Sequence, residues 1–178
     1  YNGTTIVTGG RLIIDGSNQG TGLMTIKENG SLSGKGTIAG NVVVSGSVQA
    51  DLSASGSCQP LTIKGKLTAN NATLVINMED VTGTIADDTE IKVFNLASAI
   101  QGTGFTDIQP ATPSATQLWD TSLLATKGII KVVSNVANGI STPSANNTSS
   151  SAIYDLTGKK TSSPKGLYIK DGKKHIAR

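Results

Sequence analysis

Apolar positions along the chain fall in short bursts. Ile6-Val7, Met24-Thr25-Ile26, Val42-Val43-Val44 and Leu61-Thr62-Ile63 are rich in β-branched side chains, and glycine-rich polar stretches separate them with no helical phrase between. A second beat runs beside the first: Gly10-Arg11-Leu12, Gly30-Ser31-Leu32, Gly46-Ser47-Val48 and Gly65-Lys66-Leu67, whose glycines lie 20, 16 and 19 residues apart. A period near 20 residues built from short strands predicts a chain that climbs in similar turns, each resting on the last. Strand alternation sends the residue after each glycine outward and the following Leu or Val inward. Leu32 and Val43 are both expected in the stacked aliphatic core, and the glycines at corners that need positive φ.

From Tyr1 to about Met78 the pattern is short strand, corner, short strand, with Asn18, Asn29, Asn41 and Asn70-Asn71 at corners, where Asn tolerates left-handed geometry. From Val81 to Val133 the beat loosens. Thr84 to Ala86, Glu90 to Phe94, Phe105 to Ile108 and Gly128 to Val133 still read as strands, and Phe94, Phe105 and Trp119 gather here. A solenoid end exposes its core unless something bulky closes it, so this region is expected to hold the last turns plus a cap, with a helical turn or two at Leu96 to Ile100. Residues 134–151 have the Ser/Asn/Thr composition of a linker. Residues 152–178 predict short strands at Ile153 to Leu156, Gly166 to Lys170 and Lys174 to Ala177, the last two joined by the hairpin dipeptide Asp171-Gly172.

Composition sharpens this picture. Glycine is 21 of 178 residues and aromatics are 3%, which suits a stack of Val, Ile and Leu better than a compact core built on aromatic area. The net charge of +3 is uneven. Residues 152–178 carry seven Lys/Arg against Asp155 and Asp171, a balance of +5, whereas the rest carries eight basic and ten acidic residues, a balance of −2. The body therefore has no basic stripe for nucleic acid. Cys58 stands alone, so no intrachain disulfide forms. No apolar run approaches the ~18 residues of a membrane span, so no membrane insertion is expected. The chain starts at Tyr1, without a signal peptide and in mid-repeat, and reads as part of a longer protein.

The phrases YNGTTIVTGGRLIIDGS, GSLSGKGTIAGNVVVSG, PLTIKGKLTANNATLVINM and LWDTSLLATKGIIKV make residues 1–133 resemble the autotransporter-associated β-strand repeat family. That resemblance implies a right-handed parallel β-helix in a secreted or cell-surface protein. The corner Ser57-Cys58-Gln59-Pro60 departs from the Pro-Gly turn more usual there. The tail, IYDLTGKK followed by PKGLYIKDGKKHIAR, resembles the C-terminal sorting signal of type IX secretion in Bacteroidota, though it is shorter than a full sorting domain. Together the two resemblances imply the C-terminal end of an extracellular polysaccharide-degrading enzyme or adhesin, with a catalytic or repeat domain covalently linked upstream.

The residues do not assemble a catalytic set. His175 is the one histidine and lies among Lys173, Lys174 and Arg178, so neither a Ser-His-Asp nor a Cys-His arrangement can form in the body. The expectation is that the chain is not an enzyme. Asp87-Asp88-Thr89-Glu90 is the densest acidic group and a weak candidate for Ca²⁺, for which Asp87, Asp88 and Glu90 would need loop geometry; no other cofactor is expected. Two readings remain. One is a non-catalytic carbohydrate-binding module whose solenoid surface holds an extended plant cell-wall glycan, with xylan as the leading guess. Its candidate contacts are the outward residues Lys27, Asn29, Gln49, Asp51, Lys64, Lys66, Asn70 and Asn77, with Trp119 as an aromatic platform and Tyr1, Tyr154 and Tyr168 as weaker ones. The other is a structural stalk or adhesin segment with no sugar ligand.

Overall fold

The structure is a computed structural model that describes residues 2–135, and of the tail the backbone of residues 153–155, 160–161, 166–170 and 173–177. It is an all-β protein whose chain divides into two compact units, Tyr1–Ala137 and Asn138–Arg178.

In the first unit each turn contributes up to three short strands. The first turn holds β1 (Thr5–Val7), β2 (Gly10–Ile13) and β3 (Ser17–Asn18); the second holds β4 (Met24–Ile26), β5 (Gly30–Ser33) and β6 (Thr37–Ile38). The third holds β7 (Val42–Val44), β8 (Ser47–Asp51) and β9 (Leu61–Ile63). The fourth contains the long β10 (Leu67–Asn77), β11 (Glu90–Lys92) and β12 (Phe94–Leu96), and a fifth begins with β13 (Gln101–Gln109). Strands of successive turns pair in parallel and in register, except that β10 and β13 shift register between Ala69 and Thr73. One face is β1, β4, β7 and the first half of β10; a second is β2, β5, β8, the second half of β10 and the end of β13; a third is β3, β6, β9 and β12.

Register turns the alternation of each strand into rows. Leu12, Leu32, Val48, Leu74 and Ile108 lie side by side on the second face and point inward. Met24, Val42 and Leu67, then Ile26, Val44 and Ala69, do the same on the first, and Ile38, Ile63 and Leu96 on the third. Leu32, Val44, Ile26 and Leu74 are completely buried, and burying one such side chain stabilises by about 1.5–3 kcal/mol. Val43 is different. It is in register with Thr25 and Thr68 and points outward between the buried Val42 and Val44, which corrects its expected place in the core.

The repeat was readable, but its fourth copy slips. Gly65-Lys66-Leu67 starts the first-face strand β10, with Leu67 beside Val42, and Leu61 to Ile63 belongs to the third face beside β6. The true equivalent of Val48 in the fourth turn is Leu74. The cause is the segment between β8 and β9, closed by an antiparallel bridge from Leu52 to Cys58, which lengthens the third turn. The reason for the corner glycines also differs. Gly10 has φ 73°, as a left-handed corner requires. At Gly46 the constraint is instead the preceding turn, for a Cβ there would sit on top of the Gly30 carbonyl oxygen.

At this end of the first unit the pairing changes from parallel to antiparallel. β11 pairs antiparallel with β15 (Ile129–Ser134), and β15 pairs antiparallel with β14 (Gln117–Asp120). Phe94, fully buried, stacks on Phe105 with ring centroids 5.7 Å apart, so the two rings close the core at this end. The helical turn lies at α1 (Leu124–Lys127) and ends on Gly128 in the left-handed conformation, not at residues 96–100. Leu96 is held in strand by its pairing with Ile63.

In the second unit β16 (Ile153–Asp155) pairs antiparallel with β17 (Lys160–Thr161) and with β18 (Gly166–Lys170), which pairs with β19 (Lys173–Ala177). Lys170 lies opposite Lys173, and Asp171-Gly172, where the hairpin turn is expected, lie outside the described residues. The remaining linker residues 136–151, Tyr1, and the side chains of Tyr154, Tyr168 and His175 lie outside the described residues.

Two substitutions test the rows. Leu32→Asp puts an unpaired charge into the stack and is expected to abolish cooperative thermal unfolding, whereas Val43→Asp, half-buried and pointing outward, should melt within a few degrees of the parent. A second pair tests the corners. Gly46→Ala should destabilise by 1 kcal/mol or more, roughly the scale of an overpacked contact, while Gly16→Ala, with open space around its Cβ position and no positive φ, should be neutral or stabilising by up to about 1 kcal/mol in denaturant titration.

Candidate functional site

The second face carries a groove of about 1060 Å³ on its outer side. Its floor follows from the same register that builds the core, one residue along. Ile13, Ser33, Gln49, Val75 and Gln109 form an outward row across five strands, and Arg11, Ser31, Ser47, Thr73 and Asp107 form the row beside it. At the strand ends Asp51 lies next to Asn77. Five strands at the ~4.8 Å spacing of a sheet give a floor roughly 19 Å long.

A continuous polar network crosses this floor. Arg11 Nη1 donates to Gln49 Oε1 at 2.9 Å. The bond passes over β5, which lies between β2 and β8, and the small side chains of Ser31 and Ser33 leave room for it. Gln49 Nε2 in turn donates to Asp51 Oδ1 at 2.7 Å, the same oxygen accepts from Asn77 Nδ2 at 2.9 Å, and Asn77 Oδ1 accepts from the Glu79 amide at 3.1 Å. Neither amide can flip without setting like groups face to face. On the fifth strand Gln109 Nε2 donates to Asp107 Oδ2 at 2.9 Å. Ile13, 53% exposed, lies at one end of the groove and the exposed Pro110 at the other.

Of the residues singled out from the sequence, Gln49, Asp51 and Asn77 are thus brought together. Lys27 and Asn29 lie apart from them, in a shallow depression with Thr8, Glu28 and Ser45 at the corner between the first and second faces. Asn70 is exposed at the kink in β10, beside Asn71, whose φ of 50° is the left-handed corner expected of Asn. Lys64 and Lys66 are exposed at the corner leading into the first face, where the Lys66 amide donates to Asn41 Oδ1. Trp119 is half-buried against the core on β14 and donates its Nε1–H to the Pro110 carbonyl at 2.9 Å, so it holds a segment that lines the groove.

Arg11, Ser33 and Gln109 were missed as groove residues. The signal was available for Arg11, the one arginine before the tail, at the outward position of a Gly-x-Leu step. Gln109 lies in a strand whose partner, β10, could not be assigned while the fourth repeat was out of register.

In the acidic group 87–90 both aspartates face protein donors. Gln117, buried on β14, donates to Asp87 Oδ1 at 2.6 Å and to the Ile85 carbonyl at 2.7 Å. Asp88, at φ 66°, pairs with Lys131 at 2.7 Å, and the hydrogen bond that Lys131 donates to this carboxylate raises the lysine pKa. Glu90 is opposite Lys131 in the sheet. Among the described residues no three metal-ligating side chains come together. Asp120 is acidified by the hydrogen bond from the Ser122 amide, a local turn contact.

Beside the groove, Cys58 is half-buried behind Ser57 and Gln59. Burial, aided by the charge of Asp51, pushes its thiol up to about 11.

No family model matches the chain, and no solved structure matches it. An uncharacterized protein of Escherichia coli (strain K12), YuaQ, is 38% identical over 92 residues, which is 49% of this chain and 6% of that protein. The chain therefore spans a small fraction of the length of the curated relative it matches.

The Cys58 environment makes a prediction with a definite sign. Because the folded pKa lies above the ordinary value of 9.0, the neutral thiol favours folding fully below pH 9, and that contribution is lost as the pH rises toward about 11. Alkylation of the native protein should be slow at pH 8 to 9 and accelerate only near pH 11. A rate at pH 8 equal to that of the denatured chain would contradict the buried placement.

Proposed function

We propose that residues 1–133 form a right-handed parallel β-helix that acts as a non-catalytic carbohydrate-binding module, holding an extended cell-wall glycan along the groove of the second face. The observation that carries this reading is the Arg11–Gln49–Asp51–Asn77 network, a row of oriented donors and acceptors in an open groove with apolar surface at both ends. Sugars present hydroxyls that both donate and accept, and apolar ring faces between them. A preorganised amide–carboxylate floor meets the first, and Ile13 and Pro110 meet the second. The groove crosses the strands, so a glycan lying in it meets one turn of protein per strand spacing.

In this reading the module belongs to a secreted or cell-surface protein and serves a catalytic or repeat domain upstream of it, with the basic tail as a sorting signal. These placements rest on the family resemblances of the sequence. Xylan is the first ligand to try because its unbranched regions are extended and uncharged.

Calorimetry and affinity electrophoresis against xylan, β-glucan, mannan and pectin test the proposal. Binding to at least one polymer is expected, and Gln49→Ala combined with Asn77→Ala should weaken it about tenfold, as two lost hydrogen bonds of ~0.5–1.5 kcal/mol each would, without a comparable loss of thermal stability. Uniform absence of binding would sink the proposal in favour of a structural stalk.

A further inference from the structure

We infer that the groove selects neutral glycans over uronic-acid polymers and that Asp51 sets this preference, an inference that rests on the carbohydrate-binding reading above and narrows its ligand class. Asp51 lies in the third of the five turns that make the floor. Amide donors from its own strand and from the next turn, Gln49 Nε2 and Asn77 Nδ2, converge on its Oδ1 and fix the carboxylate in place. The side chain stays exposed to the groove, so its negative charge faces whatever occupies the floor.

The distribution of charge along the groove reinforces that single residue. The cations, Arg11 and Lys35, come from the first two turns, whereas Asp51 and Glu79 come from the third and fourth; Asp15 adds a further carboxylate beside the cations, its Oδ1 facing the Lys35 amide. Three carboxylates thus line the groove against two cations. A single uronate could sit over Arg11 and Lys35, but a polymer of uronates laid across the floor would bring further carboxylates over Asp51 and Glu79. Hydroxyls face no such conflict, since they can donate to Asp51 and accept from Arg11. A like charge held at the centre of a site is a repulsive element of the kind that gives binding sites their specificity. At an exposed position such a contact is worth on the order of fivefold in affinity and is screened by salt.

The test compares unsubstituted xylan and mannan with polygalacturonate, at low and at high ionic strength, for the parent chain and for Asp51→Asn. Asparagine keeps an oxygen for both amide donors and removes only the charge; Glu79→Gln serves as a second, exposed variant should the first fail to fold. The parent is expected to bind a neutral polymer with little salt dependence and polygalacturonate at least about fivefold more weakly, a gap that closes as salt rises. Asp51→Asn should strengthen polygalacturonate binding about fivefold at low salt while weakening binding of neutral polymers, whose hydroxyls lose a charged acceptor. Equal affinity of the parent for both classes at low salt, or a variant that strengthens both, overturns the inference. Binding confined to polygalacturonate overturns it while leaving the carbohydrate reading intact, and no binding to any polymer removes both.

Discussion

Parallel backbone hydrogen bonding between successive turns governs everything else in this chain. Once Leu32 lies beside Leu12 and Val48, the spacing of turns is fixed, and every side chain has a neighbour of known identity above and below. Corners must then pass within contact of the corner beneath, which is why Gly46 lies over the Gly30 carbonyl and Gly65 over that of Gly40. The corner glycines are set by the approach of backbone to backbone more than by unusual dihedral angles of their own. A core of short aliphatic rows follows, with the two phenylalanines reserved for the end where β11, β14 and β15 abandon the parallel arrangement.

The same ladder builds the groove. Inward rows are aliphatic because they meet the core, so the adjacent outward rows are free to carry Arg11, Gln49 and Gln109. Their spacing comes from the sheet, and their orientation from one another, because each amide in the network is committed at both its oxygen and its nitrogen. Strands position the site while contributing almost nothing to its chemistry, a separation that lets outward residues vary without endangering the fold.

How much of this the sequence disclosed depended on register. Three turns with nearly equal spacing announced the stacking, and the strict alternation in Gly30-Ser31-Leu32 and Gly46-Ser47-Val48 gave the correct inward residues. Val43 was misplaced because an uninterrupted Val-Val-Val burst carries no alternation signal of its own; only pairing with Thr25 and Thr68 shows which way it faces. The fourth turn was misassigned because the longer segment after β8 displaced an otherwise valid Gly-x-Leu step onto the neighbouring face. Gln49, Asp51 and Asn77 were recognisable as outward polar residues, but their meeting depends on β8 and β10 being adjacent, and that adjacency is a long-range fact. The helical turn at 124–127 was hidden because its position depends on the antiparallel cap that surrounds it.

The strand β10 runs for 11 residues through what is a broken corner in earlier turns, pairing with β7 by its first half and with β8 by its second. Asn71 absorbs the bend within it. The consequence is mechanical. In the first three turns the two faces are joined only by corner residues, whereas here one continuous strand belongs to both, so a shear applied to either face is carried directly into the other. The fourth turn therefore acts as a tie beam, and a load applied to the outer side of the second face would be spread across two hydrogen-bonded faces.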